Sequence, residues 1–336
     1  MHNTPASDVE EAAGLLRAAG DVTLLGHVNP DADALGSALA LGLALHQRGA
    51  RVRVSFAEPA EAPESLRSLD AAGLLVSPEL LPAGERLLVA VDTPNVDRLG
   101  ALGSRVGATI AGGGSVLVVD HHASNTRFGT HHVVDIGAEA SAVLALRILD
   151  AMEHQVDASI ANCLYAGLVT DTSSFRRASP ETHRMAARLV EAGAHPEKLG
   201  RELMDSHPFP WLPMLSRVLA CARLEPGAAR GLGLVHTVVT REDAAPVRVE
   251  EVESVIDVVR ATSEAEVAVV LKEIAPRADV HRWSVSLRAK TRLDVSVAAQ
   301  SLGGGGHRLA SGCTLEGSAE EVLAMLRAAL NEAPIL

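Results

Sequence analysis

Aromatic and cysteine side chains are scarce in this 336-residue sequence. Its four Phe, two Trp and one Tyr leave few residues for a surface on which nucleic-acid bases could stack. The three cysteines form no CxxC pair, which argues against a zinc ribbon or a disulfide framework and predicts buried thiols. Neither a zinc-stabilised fold nor a disulfide-rich secreted fold is indicated.

Long hydrophobic runs and excess positive charge are also missing. The longest uncharged, largely apolar stretch is Ala34–Gln47, 14 residues, and a membrane-spanning helix needs about 18 to 20. The N-terminus has no basic region followed by an apolar run, so we expect no secretory signal, no membrane contact and a cytoplasmic protein. A formal net charge of -12 argues against non-specific binding of duplex nucleic acid and suits an acidic metal site.

The order of apolar and polar segments predicts an α/β protein with two domains. Continuous apolar runs, such as Leu87–Val91 and Val116–Val119, alternate with helical patterns. That alternation is typical of a parallel sheet with helices on both faces, and we expect a smaller C-terminal α/β domain across a cleft from it. The predicted bounds are 1–193 for the first domain, 194–228 for a helical connector bent by prolines, and 229–336 for the second domain.

Acidic and histidine side chains follow three of the predicted strands. These are His27, Asp31 and Asp33 after the first strand, Asp92 after the run Leu87–Val91, and Asp120, His121 and His122 after the run Val116–Val119. Ligands bind at the carboxyl ends of strands in open parallel sheets, so we expect these side chains to converge. Asp171, in LVTDTSSF, is expected to join them.

A cluster of this kind predicts a metal site. A single Asp is more often a helix cap or a turn residue, but several adjacent carboxylates repel one another unless cations compensate them. Oxygen-rich ligation with a minority of imidazole suits manganese or magnesium. The number of donors exceeds what one ion needs, and paired ions about 3.5 to 4 Å apart are common in phosphoryl chemistry.

A glycine-rich segment near the C-terminus, SLGGGGHRLASG at 301–312, predicts a phosphate-binding loop. Consecutive glycines allow backbone N–H groups to approach a phosphate or a sugar. Residues 277–308 contain six Lys and Arg against two Asp, whereas the rest of the chain is acidic. We expect His307, Arg308, Arg288 and Lys290 to complete a cationic clamp; the alternative is a flexible turn beside a solvated basic strand.

Taken together, HVNPDAD, AVDTPN, VVDHHASN and LVTDTSSF, in this order and followed by GGGGH, resemble the DHH phosphoesterase superfamily with its DHH-associated C-terminal domain. The resemblance spans nearly the whole chain and points to the nanoRNase/pAp phosphatase branch. The DSHPFPWLP segment is similar to actinobacterial members that also act on cyclic di-AMP. The resemblance implies a homodimer that uses two divalent ions. Manganese is the ion expected first, with magnesium or cobalt as alternatives. Its reactions would be hydrolysis of short RNA such as pApA to 5′-mononucleotides and of pAp to AMP and phosphate.

The resemblance also implies residue roles. His27, Asp31 and Asp92 would hold the first ion, and Asp33, Asp92, His121 and Asp171 the second. Asp120 would orient His121, and His122 would contact the scissile phosphate and assist the leaving group. The substrate's other phosphate or ribose would be held by Arg288, Gly304, Gly305, Gly306 and His307.

Other activities remain open from the sequence. One is a cyclic di-AMP phosphodiesterase whose linear product is then trimmed. A RecJ-like exonuclease would want a longer basic groove and more stacking residues, and an inorganic pyrophosphatase usually has a clamp rich in lysine and arginine. A nucleotide-binding sensor without turnover is the alternative from another class, and metal-dependent product formation separates it from an enzyme.

Overall fold

In the computed structural model, which describes residues 6–277 and 280–336, the chain forms two compact units, each built on one β-sheet. The first unit ends at Ser206 and the second begins at His207. The boundary therefore lies inside the segment 194–228 that the sequence predicts as a connector. A helix over Pro196–Met204 belongs to the first unit, and a helix over Trp211–Ala220 belongs to the second.

Over residues 6–206, the first unit is a five-stranded parallel sheet with seven α-helices. The strands are β1 (Asp21–Leu25), β2 (Arg51–Ser55), β3 (Leu87–Val91), β4 (Ser115–Asp120) and β5 (His131–Val134), in the order β2-β1-β3-β4-β5. The helices are α1 (Ala6–Arg17), α2 (Ala32–Gln47), α3 (Ser104–Ala111), α4 (Ser141–Ala151), α5 (Ala158–Asp171), α6 (Pro180–Glu191) and α7 (Pro196–Met204). Shorter 3-10 turns cover Glu64–Leu69, Pro78–Leu80 and Val96–Gly103. The predicted parallel sheet is confirmed; β5 was not predicted, because four residues beginning with two histidines make a weak strand pattern.

Both faces of this sheet are covered, as predicted. Successive strand residues point to opposite faces. Leu24 and Leu117 pack in the larger apolar cluster with residues of α1, α2 and α4. Their neighbours Leu25 and Val116 pack in a second cluster with residues from the Val96–Ala111 region. The central strands β3 and β4 are buried on both sides, which explains why their sequences are almost continuously apolar.

The second unit is a six-stranded mixed sheet. Its strands are β6 (Arg223–Glu225), β7 (Leu234–Val239), β8 (Val267–Arg277), β9 (Val280–Ala289), β10 (Gly305–His307) and β11 (Ala310–Glu316). Its helices are α8 (Trp211–Ala220), the single turns α9 (Ala228–Gly231) and α10 (Arg241–Ala244), α11 (Val249–Val259), α12 (Val295–Ser301) and α13 (Ala319–Glu332). The strand order is β10-β11-β9-β8-β7-β6, and within the described part of this unit only the β7–β8 pair is parallel.

Two of the three predicted buried thiols are buried. Cys163 and Cys313 lie inside the two units, whereas Cys221 is exposed because it follows the last residue of α8 at the surface. All three are free thiols. Among residues 6–277 and 280–336, no helix combines the length and the apolarity that crossing a membrane requires.

Candidate metal centre

Three neighbouring strands bring the candidate ligands to one edge of the first sheet. His27 follows β1, Asp92 follows β3, and His121 follows β4. These strands are adjacent in the order β1-β3-β4 and are parallel, so their carboxyl ends coincide. The local sequence and the topology together therefore gather these side chains where an open parallel sheet binds ligands.

His27, Asp31 and Asp92 form the first group of donors. The His27 Nε2 atom lies 3.7 Å from Asp31 Oδ2 and 3.6 Å from Asp92 Oδ2. Its Nδ1 atom lies 2.8 Å from the Val28 carbonyl oxygen. A carbonyl oxygen only accepts, so we assign the hydrogen to Nδ1, which leaves the Nε2 lone pair for the side facing the carboxylates. Burial by itself lowers the pKa of His27, but the two carboxylates raise it to about 10. The two carboxylates therefore favour a positive charge at His27.

His121 is the centre of the second group. Its Nε2 atom lies 3.2 Å from Asp171 Oδ2, 3.4 Å from Asp92 Oδ1 and 3.9 Å from Asp33 Oδ2. Its Nδ1 atom lies 3.1 Å from the Ala138 carbonyl oxygen, which again favours the tautomer with Nε2 directed at the acids. Asp92 thus presents one oxygen to each group, Oδ2 to His27 and Oδ1 to His121. One carboxylate is thus shared by the two groups.

The carboxylates of this centre are incompatible with one another unless positive charge is present. Burial, followed by repulsion from Asp92 and Asp171, raises the pKa of Asp33 well above its ordinary range. Burial also raises the pKa of Asp171. Burial opposes ionisation of Asp92, yet the three neighbouring histidines hold its pKa below the usual range. The pKa is raised for Asp33 and Asp171 but lowered for Asp92, which lies beside the histidines. Ionisation of the acids in this cluster therefore depends on adjacent cations.

The buried side chain of Asp33 is held by the start of α4. Its Oδ2 atom accepts a hydrogen bond from Ser141 N at 2.6 Å, and its Oδ1 atom accepts one from Ala142 N at 2.9 Å. Ser141 Oγ also donates to Asp92 Oδ1 at 2.9 Å. A helix N-terminus stabilises negative charge, so α4 orients two of the acids. The sequence pattern did not single out Ser141, because a Ser at the start of an apolar helix usually indicates only a cap.

Two glycines allow α2 and α5 to pack close enough to form the centre. A Cβ atom at Gly36 would lie 2.4 Å from the Cys163 carbonyl oxygen. A Cβ atom at Gly167 would lie 2.5 Å from Asp33 Oδ1. Since real Cβ atoms do not approach other atoms this closely, both positions require glycine for the observed helix spacing.

Asp92 adopts a backbone conformation that is rare for a residue with a side chain. Its φ is +54°, in the left-handed region. Such a conformation costs about 1 kcal/mol or more and persists where the surrounding structure enforces it, often at functional sites. Here the Asp92 N–H donates to the Val119 carbonyl oxygen at 2.8 Å, which ties the turn after β3 to β4.

His122 and Asp120 form a separate pair beside these donors. His122 Nδ1 donates to Asp120 Oδ1 at 2.7 Å, and Asn125 Nδ2 donates to Asp120 Oδ2 at 2.5 Å. Asp120 therefore orients His122 and not His121, which corrects the expectation from the sequence. The physical reason is that the Ala138 carbonyl already occupies His121 Nδ1. Burial by itself lowers the pKa of His122, but the hydrogen bond to Asp120 raises it above its ordinary value.

Arg98 adds a cation next to the first group. Its Nη2 atom lies 3.2 Å from His27 Nδ1, which is longer than the 2.8 Å contact between that atom and Val28 O. Arg98 can only donate a hydrogen bond, which needs a bare Nδ1, whereas the Val28 carbonyl oxygen can only accept one, which needs a hydrogen on Nδ1. Because the contact to the carbonyl oxygen is the shorter, we place the hydrogen on Nδ1. The guanidinium is thus a positive neighbour of His27, at an exposed residue on the turn after β3.

Part of the glycine-rich segment of the second unit is a strand, whereas the sequence predicted a phosphate-binding loop or, as the alternative, a flexible turn. Gly305–His307 form β10, which pairs with β11 in a hairpin. A Cβ atom at Gly304 would lie 2.1 Å from the Gly312 carbonyl oxygen, and one at Gly306 would lie 2.6 Å from that of Ala310. Close contact within the hairpin therefore accounts for Gly304 and Gly306, whereas a Cβ atom at Gly303 or Gly305 would have no atom within 4 Å.

The predicted substrate residues of this unit share a face of the sheet. His307 pairs with Ala310, and Ala310 pairs with Arg288, so the histidine and the arginine point to the same side with a small residue between them. Lys272, which the sequence pattern did not indicate, lies nearby in β8, buried in an ion pair with Glu253. Burial, opposed by Glu253 and reinforced by Arg288, lowers the pKa of Lys272. The face is therefore rich in cations.

The donor set of the first unit fits divalent metal ions. The donor atoms of His27, Asp31 and Asp92 lie within 4.8 Å of one another, as do those of Asp33, Asp92 and His121. Carboxylate oxygens outnumber imidazole nitrogens, which suits hard or borderline ions. Both imidazoles are oriented through Nδ1 by backbone carbonyls, as metal-binding histidines commonly are. Asp171 reaches this set through its contact with His121.

Comparison with known proteins agrees with these observations. The model of the DHH family N-terminal domain matches residues 21–168, and that of the DHHA1 domain matches residues 234–333. The chain is 32% identical over 325 residues to the bifunctional oligoribonuclease and PAP phosphatase NrnA of Thermus thermophilus, a match that covers 94% of this chain and 92% of the relative. It is 24% identical over 315 residues to an uncharacterised protein of Mycoplasma genitalium, with 88% and 86% covered. An exopolyphosphatase-related protein from Bacteroides fragilis has the same fold, with a TM-score of 0.84, 19% identity, and 97% and 96% of the two chains covered.

Proposed function

The chain belongs to the DHH family of phosphoester hydrolases, and we propose that it hydrolyses short oligoribonucleotides such as pApA to 5′-mononucleotides and pAp to AMP and phosphate. The observation that carries the proposal is the shared carboxylate of Asp92, with one oxygen beside each histidine-centred group. End-to-end similarity to a bifunctional oligoribonuclease and PAP phosphatase supports this substrate class.

The proposed metal ligands are the six side chains that the geometry brings together. His27, Asp31 and Asp92 would hold one ion, and Asp33, Asp92, His121 and Asp171 would hold the other. Manganese is the proposed ion, with magnesium or cobalt as substitutes, because the donors are mostly carboxylate oxygens. When bound, a pair of such ions supplies Lewis-acid activation of water and neutralises charge on phosphate oxygens.

The protein's own groups would then orient the substrate and move a proton. His122 is held by Asp120 through Nδ1, so its ring orientation is fixed before substrate binds. We assign it to contact the scissile phosphate and to protonate the leaving ribose oxygen, with Asp120 stabilising the charged imidazole. His307, Arg288 and the Gly304–Gly306 backbone are proposed to hold the substrate's other phosphate or ribose. Homodimerisation and a cytoplasmic location stay predictions.

Product analysis with Mn²⁺ tests the proposal. The substrate panel is pAp, pApA, a five-nucleotide RNA and cyclic di-AMP, each repeated with chelator and with the Asp92→Asn variant as a matched control. The proposal expects chelator-sensitive release of AMP from pApA and from pAp. Cleavage of cyclic di-AMP at a rate comparable to pApA would make the chain a cyclic dinucleotide phosphodiesterase instead. No turnover of any substrate, with nucleotide binding retained, would make it a sensor and refute the proposal.

A further inference from the structure

A left-handed turn follows Asp171 directly. Ser173, Ser174 and Phe175 have φ of 52°, 58° and 63°, so three consecutive residues with side chains adopt the left-handed region. Such residues normally occur singly, because the Cβ atom then crowds the next carbonyl oxygen. A run of three indicates that surrounding contacts enforce the conformation.

Backbone hydrogen bonds fix the turn to the end of α5. Ser174 N donates to the Val169 carbonyl oxygen at 2.8 Å, and Ser173 N donates to that of Thr170 at 2.9 Å. These two bonds have the pattern of a Schellman motif, in which the left-handed position after the helix is usually glycine. Serine occupies that position here, so other contacts must hold it.

Thr172 supplies one of those contacts. Its side chain is completely buried, and its Oγ1 atom donates to the Leu168 carbonyl oxygen at 2.7 Å. Thr172 Oγ1 also accepts a hydrogen bond from Phe175 N at 3.0 Å. One hydroxyl thus joins the last turn of α5 to the third left-handed residue, which closes the turn on the helix.

Phe175 and Arg177 anchor the far side of the turn. The Phe175 ring stacks on the His183 ring with centroids 5.6 Å apart and meets the Tyr165 ring edge-on at 5.9 Å. Arg177 Nη2 donates to the Asp171 carbonyl oxygen at 2.8 Å. The ring contacts connect the turn to α5 and α6, and the Arg177 bond ties a residue beyond the turn back to the Asp171 backbone. The backbone of Asp171 is therefore held by the helix before it and by the segment after it.

Asp171 needs such support because of its position in α5. It is the last residue of the helix, where a carboxylate is disfavoured by the partial negative charge of the helix C-terminus. Its Oδ2 atom nevertheless lies 3.2 Å from His121 Nε2. We propose that Thr172 and the left-handed turn Ser173–Phe175 are a positioning device that keeps the Asp171 carboxylate in the metal centre. This inference rests on the proposed function, since it assigns Asp171 as a ligand.

The decisive variant is Thr172→Val, which keeps the shape of the side chain and removes its hydroxyl. Binding of Mn²⁺ alone is measured by titration calorimetry on the full-length chain, together with the apo melting temperature. Residues that orient metal ligands typically change metal affinity by about 10- to 100-fold, and we expect a loss in this range. Thr170→Val is the matched control, because Thr170 Oγ1 makes the same kind of bond to Ala166 O in α5. The turn is bonded to the Thr170 carbonyl oxygen, which this substitution keeps.

A second substitution separates positioning from fold stability. In the double variant Thr172→Val/Ser173→Gly, glycine adopts the left-handed conformation without the Cβ penalty, so Mn²⁺ affinity is expected to recover. A structural role alone predicts a lower melting temperature with unchanged affinity in the single variant. If Thr172→Val does not fold, Phe175→Leu replaces it, because that change removes the ring contacts and leaves the backbone bonds; unchanged affinity there overturns the inference.

The outcomes for the two proposals differ. Wild-type affinity in Thr172→Val would overturn the positioning role and leave the proposed function standing. An affinity loss of equal size in Thr170→Val would also overturn it, since the effect would then not depend on the turn. Absence of Mn²⁺ binding by the wild-type chain would refute the proposed function and this inference together.

Discussion

The close approach of α5 to Asp33 predicts that a single methyl group at position 167 damages the metal centre. In Gly167→Ala the added Cβ would lie 2.5 Å from Asp33 Oδ1, 3.0 Å from Asp33 Cα and 3.2 Å from Ala142 Cβ. Asp33 cannot yield easily, because it is fully buried and accepts hydrogen bonds from Ser141 N and Ala142 N. The substitution must therefore separate the helices or displace the carboxylate.

The expected loss of stability follows from two opposing effects. Overpacking of a well-packed interior costs about 1–3 kcal/mol of folding stability. The new methyl group would contact both the backbone and the buried carboxylate of Asp33, so we expect a cost near the upper end of that range. Alanine in a helix is favoured over glycine by about 1 kcal/mol. The net loss is then about 2 kcal/mol. For a unit of this size, each kcal/mol lowers the melting temperature by roughly 2–4 °C, which gives a decrease of about 4–8 °C.

The assay combines thermal unfolding with Mn²⁺ titration. Displacement of Asp33 should weaken Mn²⁺ binding by about 10-fold or more. Gly14→Ala is the matched control, because Gly14 lies inside α1 and a Cβ there would have no atom within 4 Å. That variant should be up to about 1 kcal/mol more stable with unchanged Mn²⁺ affinity. Equal stability and equal Mn²⁺ affinity of Gly167→Ala and the wild-type chain would refute the assignment of this contact.

Three further predictions concern the centre and the second unit. Asp92→Asn should abolish turnover with the far-UV circular dichroism spectrum retained, because asparagine tolerates the left-handed φ of +54°; residual hydrolysis at wild-type rates would remove Asp92 from the ligand set. Ser141→Ala deletes the hydroxyl that donates to Asp92 and should weaken Mn²⁺ binding by about 10-fold, whereas an unchanged isotherm would exclude that orienting role. Arg327 lowers the pKa of Glu225, so this carboxylate stabilises the fold above its unfolded pKa and loses that effect as pH falls through the folded value. The stability difference between wild type and Glu225→Gln should therefore shrink from about pH 6 to about pH 3, and denaturant unfolding that gives a constant difference would contradict this.

Much of the candidate centre could be predicted because its residues are marked by local pattern. The runs ending at Val91 and Val119 are continuously apolar, since their strands are buried on both faces. A polar residue at the end of such a run, as at Asp92, marks the carboxyl end of a parallel strand. The rule that these ends bind ligands then sufficed to group His27, Asp92 and His121.

The supporting contacts could not be predicted in this way. Ser141 and Asp33 are 108 residues apart in the chain, and the N–H group that holds the carboxylate is present at every non-proline residue. The sequence around Gly167 does not show that glycine is required there, because the requirement comes from the close approach of Asp33 in α2. The pairing of Asp120 with His122 depends on a carbonyl at Ala138 that occupies the competing histidine. The glycines before His307 allow a flexible loop or a close-packed strand, and only the neighbouring β11 decides between them.

Local sequence patterns were therefore enough to predict the α/β class, the parallel sheet of the first unit and the positions of the acids and histidines that follow its strands. These features depend on periodicity and on the physical chemistry of each short segment. Tertiary structure alone decided which oxygen faces which nitrogen, which helices approach closely enough to require glycine, and which residues are held in the left-handed conformation. Those properties arise from contacts between segments distant in the chain, and no local pattern encodes the packing that enforces them.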